Sequence, residues 1–547
     1  MILDLTHLSS EYTKRLNGIA GEIKAEYTLF VDECCRKYSD ELFWVTPFSS
    51  RNTYNDATYM QICRVLLAEE AVSLGDADEV ITGTRGEYLT LKKHFSGRAK
   101  VSYSAKCGIS LRMIGILKRW RHFFNFLARQ IAYRKYASRE EFSYPEHASV
   151  VIGPAISTDF DGYHFNDRYT TGITQYHDAL FLPYIVNPRK IPNRELFDRI
   201  RNCSNYRFIY DRRLLRISDT LQIIRYWRYV GRIMNDGFRY RDIDVSPVVR
   251  QNLIEGMDNS PAFDAIIMRR MLQRLSNMNV KIDHFIQWYE GRSFDVATSS
   301  AIREYFPDST CVGYEGYPLT EIILGGCISA EQHRTGHAPD VMAVCSRWFE
   351  KDAHQFCSDV PLIYVPILRN DYVLVSKSAK GNPLSILVLL SYLPEASRQL
   401  LEGVWSFIRG NEKDYRIIVK NHPTNEGFSL ADYGFNEKME AEFVKGKLTD
   451  CLPGMDAVVT SMTISTLEVA FAGIPQVIMY LPGELGYTCL PEKIRDELCK
   501  VAYSSEEIAE KLGECLLEVV DNSSLAGFLI PKIRENVLRL FGPESDA

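Results

Sequence analysis

The feature that most constrains this chain is a rhythm: short β-branched or apolar runs alternate with longer stretches of helical periodicity. After residue 383 the rhythm is regular. SILVLL at 385–390, RIIVK at 416–420, AVVT at 457–460 and QVIMY at 476–480 read as strands, and 394–409, 465–472 and 505–520 read as helices. Such alternation specifies α/β architecture, because parallel strands need crossover connections and a helix is the usual one. Upstream, strands are expected at 42–46 (LFWVT), 79–82 (EVIT), 100–103, 149–152 (SVVI), 179–184, 284–289 (HFIQWY), 309–314 (STCVGY), 341–345 (VMAVC) and 362–366 (LIYVP), with a helix over 58–73. They suffice for one large doubly wound sheet with insertions. The stretch 371–383 turns polar, with Ser, Lys, Gly and Pro in its second half, and reads as a hinge. The expected organisation is therefore two Rossmann-like domains, 1–370 and 371–547, within the roughly two to four that this length allows.

Composition removes several function classes. A formal net charge of −6 excludes bulk nucleic-acid binding. The 13 cysteines include no CxxC pair, so neither a zinc ribbon nor a thioredoxin-type site is signalled, and they read as free thiols in a reducing compartment. The first residues show no basic region followed by an apolar run, as a signal peptide would, and no run approaches the roughly 18 apolar residues of a membrane span. A cytoplasmic location is expected. One segment departs from this picture. Residues 111–136 (LRMIGILKRWRHFFNFLARQIAYRKY) carry seven Lys or Arg and no acid, with Ile116, Trp120, Phe123, Phe124, Leu127 and Ile131 at helical spacing. That pattern suits either an anionic membrane surface or a helix packing one face on a core. Residues 223–234 (IIRYWRYVGRIM) have the same character, so peripheral contact with the inner membrane joins the expectations.

Two strand ends in the last third carry the chemistry. The first is Lys420-Asn421-His422-Pro423-Thr424. Pro423 disfavours helix at His422, so the imidazole is held at a strand tip, where it can donate to a phosphate. By itself a His-Pro pair is equally a turn. The second is Thr460-Ser461-Met462-Thr463-Ile464-Ser465-Thr466-Leu467-Glu468, a strand running through a hydroxyl-rich turn into a helix. Ser465 or Thr463 is placed to cap that helix, and free N–H groups at a helix start accept phosphate.

Together these motifs resemble those of bacterial surface-carbohydrate glycosyltransferases of the GT-B fold, which build capsules and lipopolysaccharide. His422-Pro423 looks like their HP motif, Ser461 to Thr466 like their serine-rich motif, and Glu468 to Pro475 like the E-A-x-x-x-G-I-P segment of GT-B donor domains. Upstream, Trp288-Tyr289-Glu290-Gly291-Arg292-Ser293-Phe294-Asp295 resembles a YEN-x-x-WE pattern, with Gly291 in place of Asn, Phe294 of Trp and Asp295 of the second acid. Val312-Gly313-Tyr314-Glu315-Gly316 stands where a G-Y-x-H-like strand end is usual, without its histidine. The resemblance covers roughly 280–510. It implies two domains facing a cleft and a CMP-activated acidic sugar, such as Kdo or a nonulosonate, as in sialyl- and Kdo-transferases. The CMP part would be held by His422, Pro423, Thr424, Ser461, Thr463, Ser465 and Thr466.

Glycosyl transfer needs a carboxylate beside the anomeric carbon, as base or nucleophile. Glu290 and Glu315 each follow an expected strand, with Glu290 favoured. Arg369, after the last N-terminal strand, is a candidate partner for donor phosphate or sugar carboxylate. The loop Ser49-Ser50-Arg51-Asn52 is a further cleft candidate. His333 and His337 are four apart but Gly336 weakens a helix there and no third ligand is evident, and neither Asp159-Phe160-Asp161 nor Asp242-Ile243-Asp244 follows a strand directly. No cofactor and no metal are expected. The expected partners are a nucleotide-sugar donor and a glycan or lipid-linked glycan acceptor. A polyol-phosphate or UDP-sugar transferase of the same fold, and a non-catalytic subunit of a polysaccharide assembly complex, are the alternatives.

Overall fold

The computed structural model describes residues 1–104, 110–137, 142–187, 191–258, 260–318, 322–369, 372, 374, 381–425, 427–435, 440–518 and 520–542, with the side chains of 110–115 and 492–493 left aside. The C-terminal rhythm becomes a six-stranded parallel sheet. Its order is Glu442–Phe443, Tyr415–Lys420, Leu384–Leu389, Ala457–Ser461, Gln476–Met479 and Cys499–Ala502. The two outermost strands are additions to the four expected. The strands Ala457–Ser461 and Gln476–Met479 are buried at every position, as a parallel sheet covered on both faces demands. The chain enters at Leu384–Leu389, winds to one side, then crosses to the other for Ala457–Ser461. Strand order therefore reverses beside Leu384–Leu389, and there the carboxyl ends leave a crevice.

The N-terminal part differs from the single sheet expected. A seven-stranded parallel sheet runs in the order Leu362–Tyr364, Val341–Val344, Thr310–Tyr314, Lys281–Trp288, His147–Ile156, Ala179–Val186 and Arg207–Phe208. It too reverses, between His147–Ile156 and Lys281–Trp288. The strands Glu79–Thr82 and Lys100–Tyr103 pair instead with Ile2–Asp4 in a separate three-stranded parallel sheet. The strand expected at 42–46 is absent. Asp40 accepts the N–H of Leu42 at 2.8 Å and Thr46 accepts that of Ser49 at 3.3 Å, and Pro47 opens a helical turn, so helices Glu41–Trp44 and Pro47–Ser50 form there. Two cap signals outweigh an aromatic, β-branched run.

The two large parallel sheets make the two Rossmann-like α/β halves anticipated. The boundary expected at 370/371 lies outside the described residues. The halves share one apolar cluster, in which Met342, Val344, Leu362 and Tyr364 of the N-terminal sheet pack with Leu467, Phe471, Ile478 and Leu490. The end of the chain returns to the N-terminal half. Ile530 N–H donates to Cys345 O at 3.3 Å, Val537 and Leu540 are buried in the N-terminal core, and Phe541 stacks on His177 at 4.0 Å. The loop after Gln476–Met479 is braced from the other side. Gly483 N–H donates to Thr13 Oγ1 at 3.1 Å, Gly486 N–H to Asn17 Oδ1 at 2.6 Å, and Arg64 Nη2 to Gly483 O at 2.7 Å. Thr13, Asn17 and Arg64 belong to the helices Ser10–Lys37 and Thr58–Ser73.

On the C-terminal sheet, helix Pro394–Ile408 buries Leu400, Leu401, Val404 and Ile408 and crosses helix Ser505–Leu517. The crossing depends on Gly403, where a Cβ would lie 2.6 Å from Ile508 Cβ and 2.8 Å from Ser505 O. In an open helix, Gly→Ala stabilises by roughly 0.5–1 kcal/mol. Here the sign reverses: Gly403→Ala is expected to lower the unfolding free energy by about 1–3 kcal/mol through overpacking, read by urea denaturation.

Candidate functional site

Both sequence motifs of the C-terminal half fall at the crevice. Lys420 and Thr460 each register with Leu389, on its two sides. The two motifs therefore start about 10 Å apart, two strand spacings. After Lys420 the chain turns through Pro423–Asn425, a 3-10 turn. Asn425 pins the turn by donating to Tyr392 O at 3.1 Å, and Asn421 is held between Phe428 O at 2.7 Å and the Tyr433 hydroxyl at 2.9 Å. His422 Nδ1 accepts the Thr424 N–H at 3.2 Å and lies 2.8 Å from Thr424 Oγ1. A ring nitrogen that accepts an N–H carries no proton, so the neutral imidazole is assigned its proton on Nε2, ready to donate. Partial burial pushes the His422 pKa below 6.5.

In the hydroxyl-rich turn the side chains divide. Thr463 Oγ1 accepts the Ser465 N–H at 3.3 Å, making it the partner of the first amide of helix Ser465–Phe471. Thr466 is sealed, its hydroxyl donating to Thr463 O at 2.9 Å, so it shapes the turn from within. Ser461 ends its strand buried, whereas Ser465 is partly open. The back of this helix, Leu467, Ala470 and Phe471, is set in the cluster between the halves.

Across the cleft, Glu290 follows strand Lys281–Trp288 at the N-terminal reversal. Its loop is fixed on every side. Gly291 has φ 63°, and a Cβ there would lie 1.6 Å from Gly325 O, so only glycine fits. Asn52 Nδ2 donates to Glu290 O at 2.8 Å, and Asp295 accepts the N–H groups of Glu290 and Arg292, both at 3.0 Å. The Glu290 carboxylate accepts from Trp288 Nε1 at 2.9 Å and pairs with Arg292 Nε at 3.3 Å, while remaining 26% exposed. Arg51, from the same candidate loop as Asn52, is buried and donates to Cys327 O at 3.0 Å; that loop supports the site from behind. Glu315 is 1% exposed, with Oε2 lacking a hydrogen-bond partner. Burial, with the nearby charges of Glu290 and Asp352, lifts its pKa well above the usual carboxylate range.

Tyrosine rings stand near both Glu290 and His422. Tyr54 lies within electrostatic reach of Glu290 and edge-on to Tyr487, ring centroids 6.0 Å apart. Tyr487 in turn feels Tyr392, whose ring meets His422 edge-on at 6.0 Å. Arg369 is exposed and lies 6.0 Å from the Tyr169 ring centroid. Its charge, with that of Lys420, opposes the burial that raises the Glu468 pKa above 4.5. Arg369 thus stands within electrostatic reach of Glu468 in one half and of Tyr169, beside Glu290, in the other. Tyr54, Tyr169, Arg292, Tyr392, Lys420, Glu468 and Tyr487 were not singled out by sequence as site residues; Arg292, Lys420 and Glu468 lay within the quoted motifs, and nothing in the sequence pointed to the four tyrosines. Among the described residues no group of three or more His, Cys, Asp or Glu is placed to hold a metal ion. His337 instead stacks on Trp44 at 4.2 Å.

No family model matches the chain, and no curated protein matches it in sequence. Among solved structures it is similar to the UDP-GlcNAc 2-epimerase of Methanocaldococcus jannaschii in complex with UDP-GlcNAc and UDP, at 12% identity over 73% of this chain and 100% of that one, TM-score 0.39. It is similar to the calicheamicin glycosyltransferase CalG4 at 11% identity over 72% and 93%, TM-score 0.37. It is also similar to S. aureus MnaA with UDP, at 9% identity over 70% and 91%, TM-score 0.37.

The ring environment of His422 makes a pH prediction. Its folded pKa is depressed below the unfolded 6.5. The unfolded chain therefore binds this proton first, and the associated stability is complete above pH 6.5 and declines as pH falls through the folded midpoint. Nitrogen-detected NMR should show the Nε2–H tautomer with a midpoint below 6.5; a midpoint at or above 6.5 contradicts the assignment.

Proposed function

We propose that the chain is a glycosyltransferase that moves a sugar from a nucleotide donor, a CMP-activated acidic sugar such as Kdo or a nonulosonate, to a surface-glycan acceptor. The observation that carries this reading is that each half holds one polar group in a fixed loop just beyond a parallel strand. On one side is His422, its Nδ1 occupied by Thr424 and its Nε2–H free of the turn. On the other is the Glu290 carboxylate, held by Trp288 and Arg292.

The donor phosphate sits against His422 Nε2–H, Thr424, Thr463 and Ser465, with Pro423 and Ser461 shaping the pocket and Thr466 holding the turn beneath it. Charge develops on that phosphate as its bond to the anomeric carbon breaks, and donors already aimed at it need no reorganisation. Glu290 takes the proton of the acceptor hydroxyl as its oxygen attacks. Glu315, sealed and held neutral, is unsuited to accept a proton, so the base role goes to Glu290. Arg369, open on the cleft floor, matches a sugar carboxylate with its planar fork.

The test is ligand-induced stabilisation with turnover. CMP is expected to raise Tm selectively, by about 2.7 kcal/mol of stabilisation at a hundredfold excess over Kd. His422→Ala should weaken that shift and abolish turnover with an unchanged fold. Glu290→Gln should keep the CMP shift and lose about a hundred- to ten-thousand-fold in turnover. A shift with UDP or CDP alone replaces the CMP donor, and no shift with any of the three overturns the enzymatic reading in favour of an assembly subunit.

A further inference from the structure

The helix Ser110–Tyr136 is apolar on two faces, and the protein covers only one of them. Phe123, Phe126 and Tyr133 are buried, while Leu117 is 65% exposed, Phe124 57%, Ile116 46%, Ile131 45% and Trp120 42%. Residues 116, 120, 124 and 131 recur at intervals of four and seven, so they form one stripe along the helix. The stripe continues onto a second element. Trp120 and Phe123 pack against Trp227 of helix Leu221–Ile233, at 5.4 and 5.5 Å between centroids. That helix opens with Leu221, 59% exposed, after a turn carrying Ile217, 43% exposed.

The two helices that bear this stripe carry charge of one sign. Neither helix contains an acidic residue, although the chain as a whole has a net charge of −6. Arg121, Arg225 and Arg228 are exposed, and among the described residues none has a carboxylate within ion-pair distance. Lys118 reaches Asp258 only at 3.8 Å. No helix of the described residues is long and apolar enough to cross a membrane.

We propose that this two-helix face seats the protein on an anionic lipid bilayer, with the stripe lying in the surface plane. Apolar side chains led by a tryptophan enter the headgroup boundary, and unpaired arginines beside them meet lipid phosphates; both terms are needed for stable peripheral binding. Charge selects this occupant over a second copy of the chain, which would bring arginines against arginines. The face also connects to the acceptor side of the cleft. Arg129 of the first helix donates to Ile185 O at 2.8 Å, and the neighbouring Tyr184 hydroxyl accepts from Arg292, beside Glu290. That connection suits a lipid-linked acceptor, a point that rests on the proposed reaction, whereas bilayer binding does not.

The test is co-sedimentation of the full chain with phosphatidylcholine vesicles, with and without phosphatidylglycerol. The chain should pellet with the anionic vesicles only, less so at high salt. Arg121→Glu/Arg225→Glu and Leu117→Gln/Phe124→Gln should each weaken binding at least about tenfold, with Tm and nucleotide-induced stabilisation unchanged. Wild-type protein left in the supernatant with anionic vesicles overturns the proposal, as does wild-type binding by both double variants. A wild-type dimer that Leu117→Gln/Phe124→Gln splits assigns the face to a second copy and overturns it equally.

Discussion

The apolar contact between the two sheets sets where every polar group of the cleft can stand. Leu362 and Tyr364 from one sheet edge meet Phe471, Ile478 and Leu490 from the other half. A fully buried side chain of this size contributes about 1.5–3 kcal/mol, so several together make a seam that does not come apart with each substrate. Once the seam takes the back of helix Ser465–Phe471, the front of that helix and its hydroxyl turn have one direction left, towards the crevice. The same seam keeps the carboxyl ends of both sheets close enough for Arg369 to act on Glu468 across the boundary.

Around this seam, parallel-sheet geometry determines the chemistry. Both large sheets reverse their winding, and at each reversal the carboxyl ends of neighbouring strands part. Glu290 follows a strand at one reversal, and His422 follows the strand beside Leu384–Leu389, one position from the other. Neither is left to find its position by rotamer choice alone. Gly291 against Gly325, Asn52 on the Glu290 carbonyl and Asp295 on two amides define one loop. Thr424 and Asn425 define the other. In the proposed reaction, groups held in this way would meet developing charge at little reorganisation cost.

The C-terminal sheet was legible because each central strand is a compact β-branched run bounded by turn residues, and its ends fell within a residue or two of expectation. The edge strands were not. Glu442–Phe443 has two residues, and Cys499–Ala502 has a lysine within four; both exist because a neighbour offers unpaired backbone, a tertiary cause invisible to local pattern. The separate three-stranded sheet was missed for the same reason, since strand runs do not state their partners. At 42–46 the local pattern itself was read wrongly, as the caps of Asp40 and Thr46 outweighed the aromatic run. Within the site, sequence located the strand ends but not the direction of each side chain. Glu290 and Glu315 look alike as strand-end acids, yet one is partly exposed and the other is sealed. Thr463 and Thr466 divide in the same way.

The brace at Gly483 and Gly486 has a mechanical consequence. The halves are tied by the seam, by the chain end returning to Cys345, and by helices Ser10–Lys37 and Thr58–Ser73 holding the loop beside Tyr487. Each of these fastenings opposes a swing of one half against the other. On the proposed reaction, ligand entry would then fall to small movements, of the facing rings of Tyr54 and Tyr487 and of the turn bearing Tyr392. Ring rotations and loop shifts run in nanoseconds to microseconds, well ahead of the microsecond-to-millisecond closure of hinged lobes. The same ties that fix the polar groups thus also limit how the two halves can part.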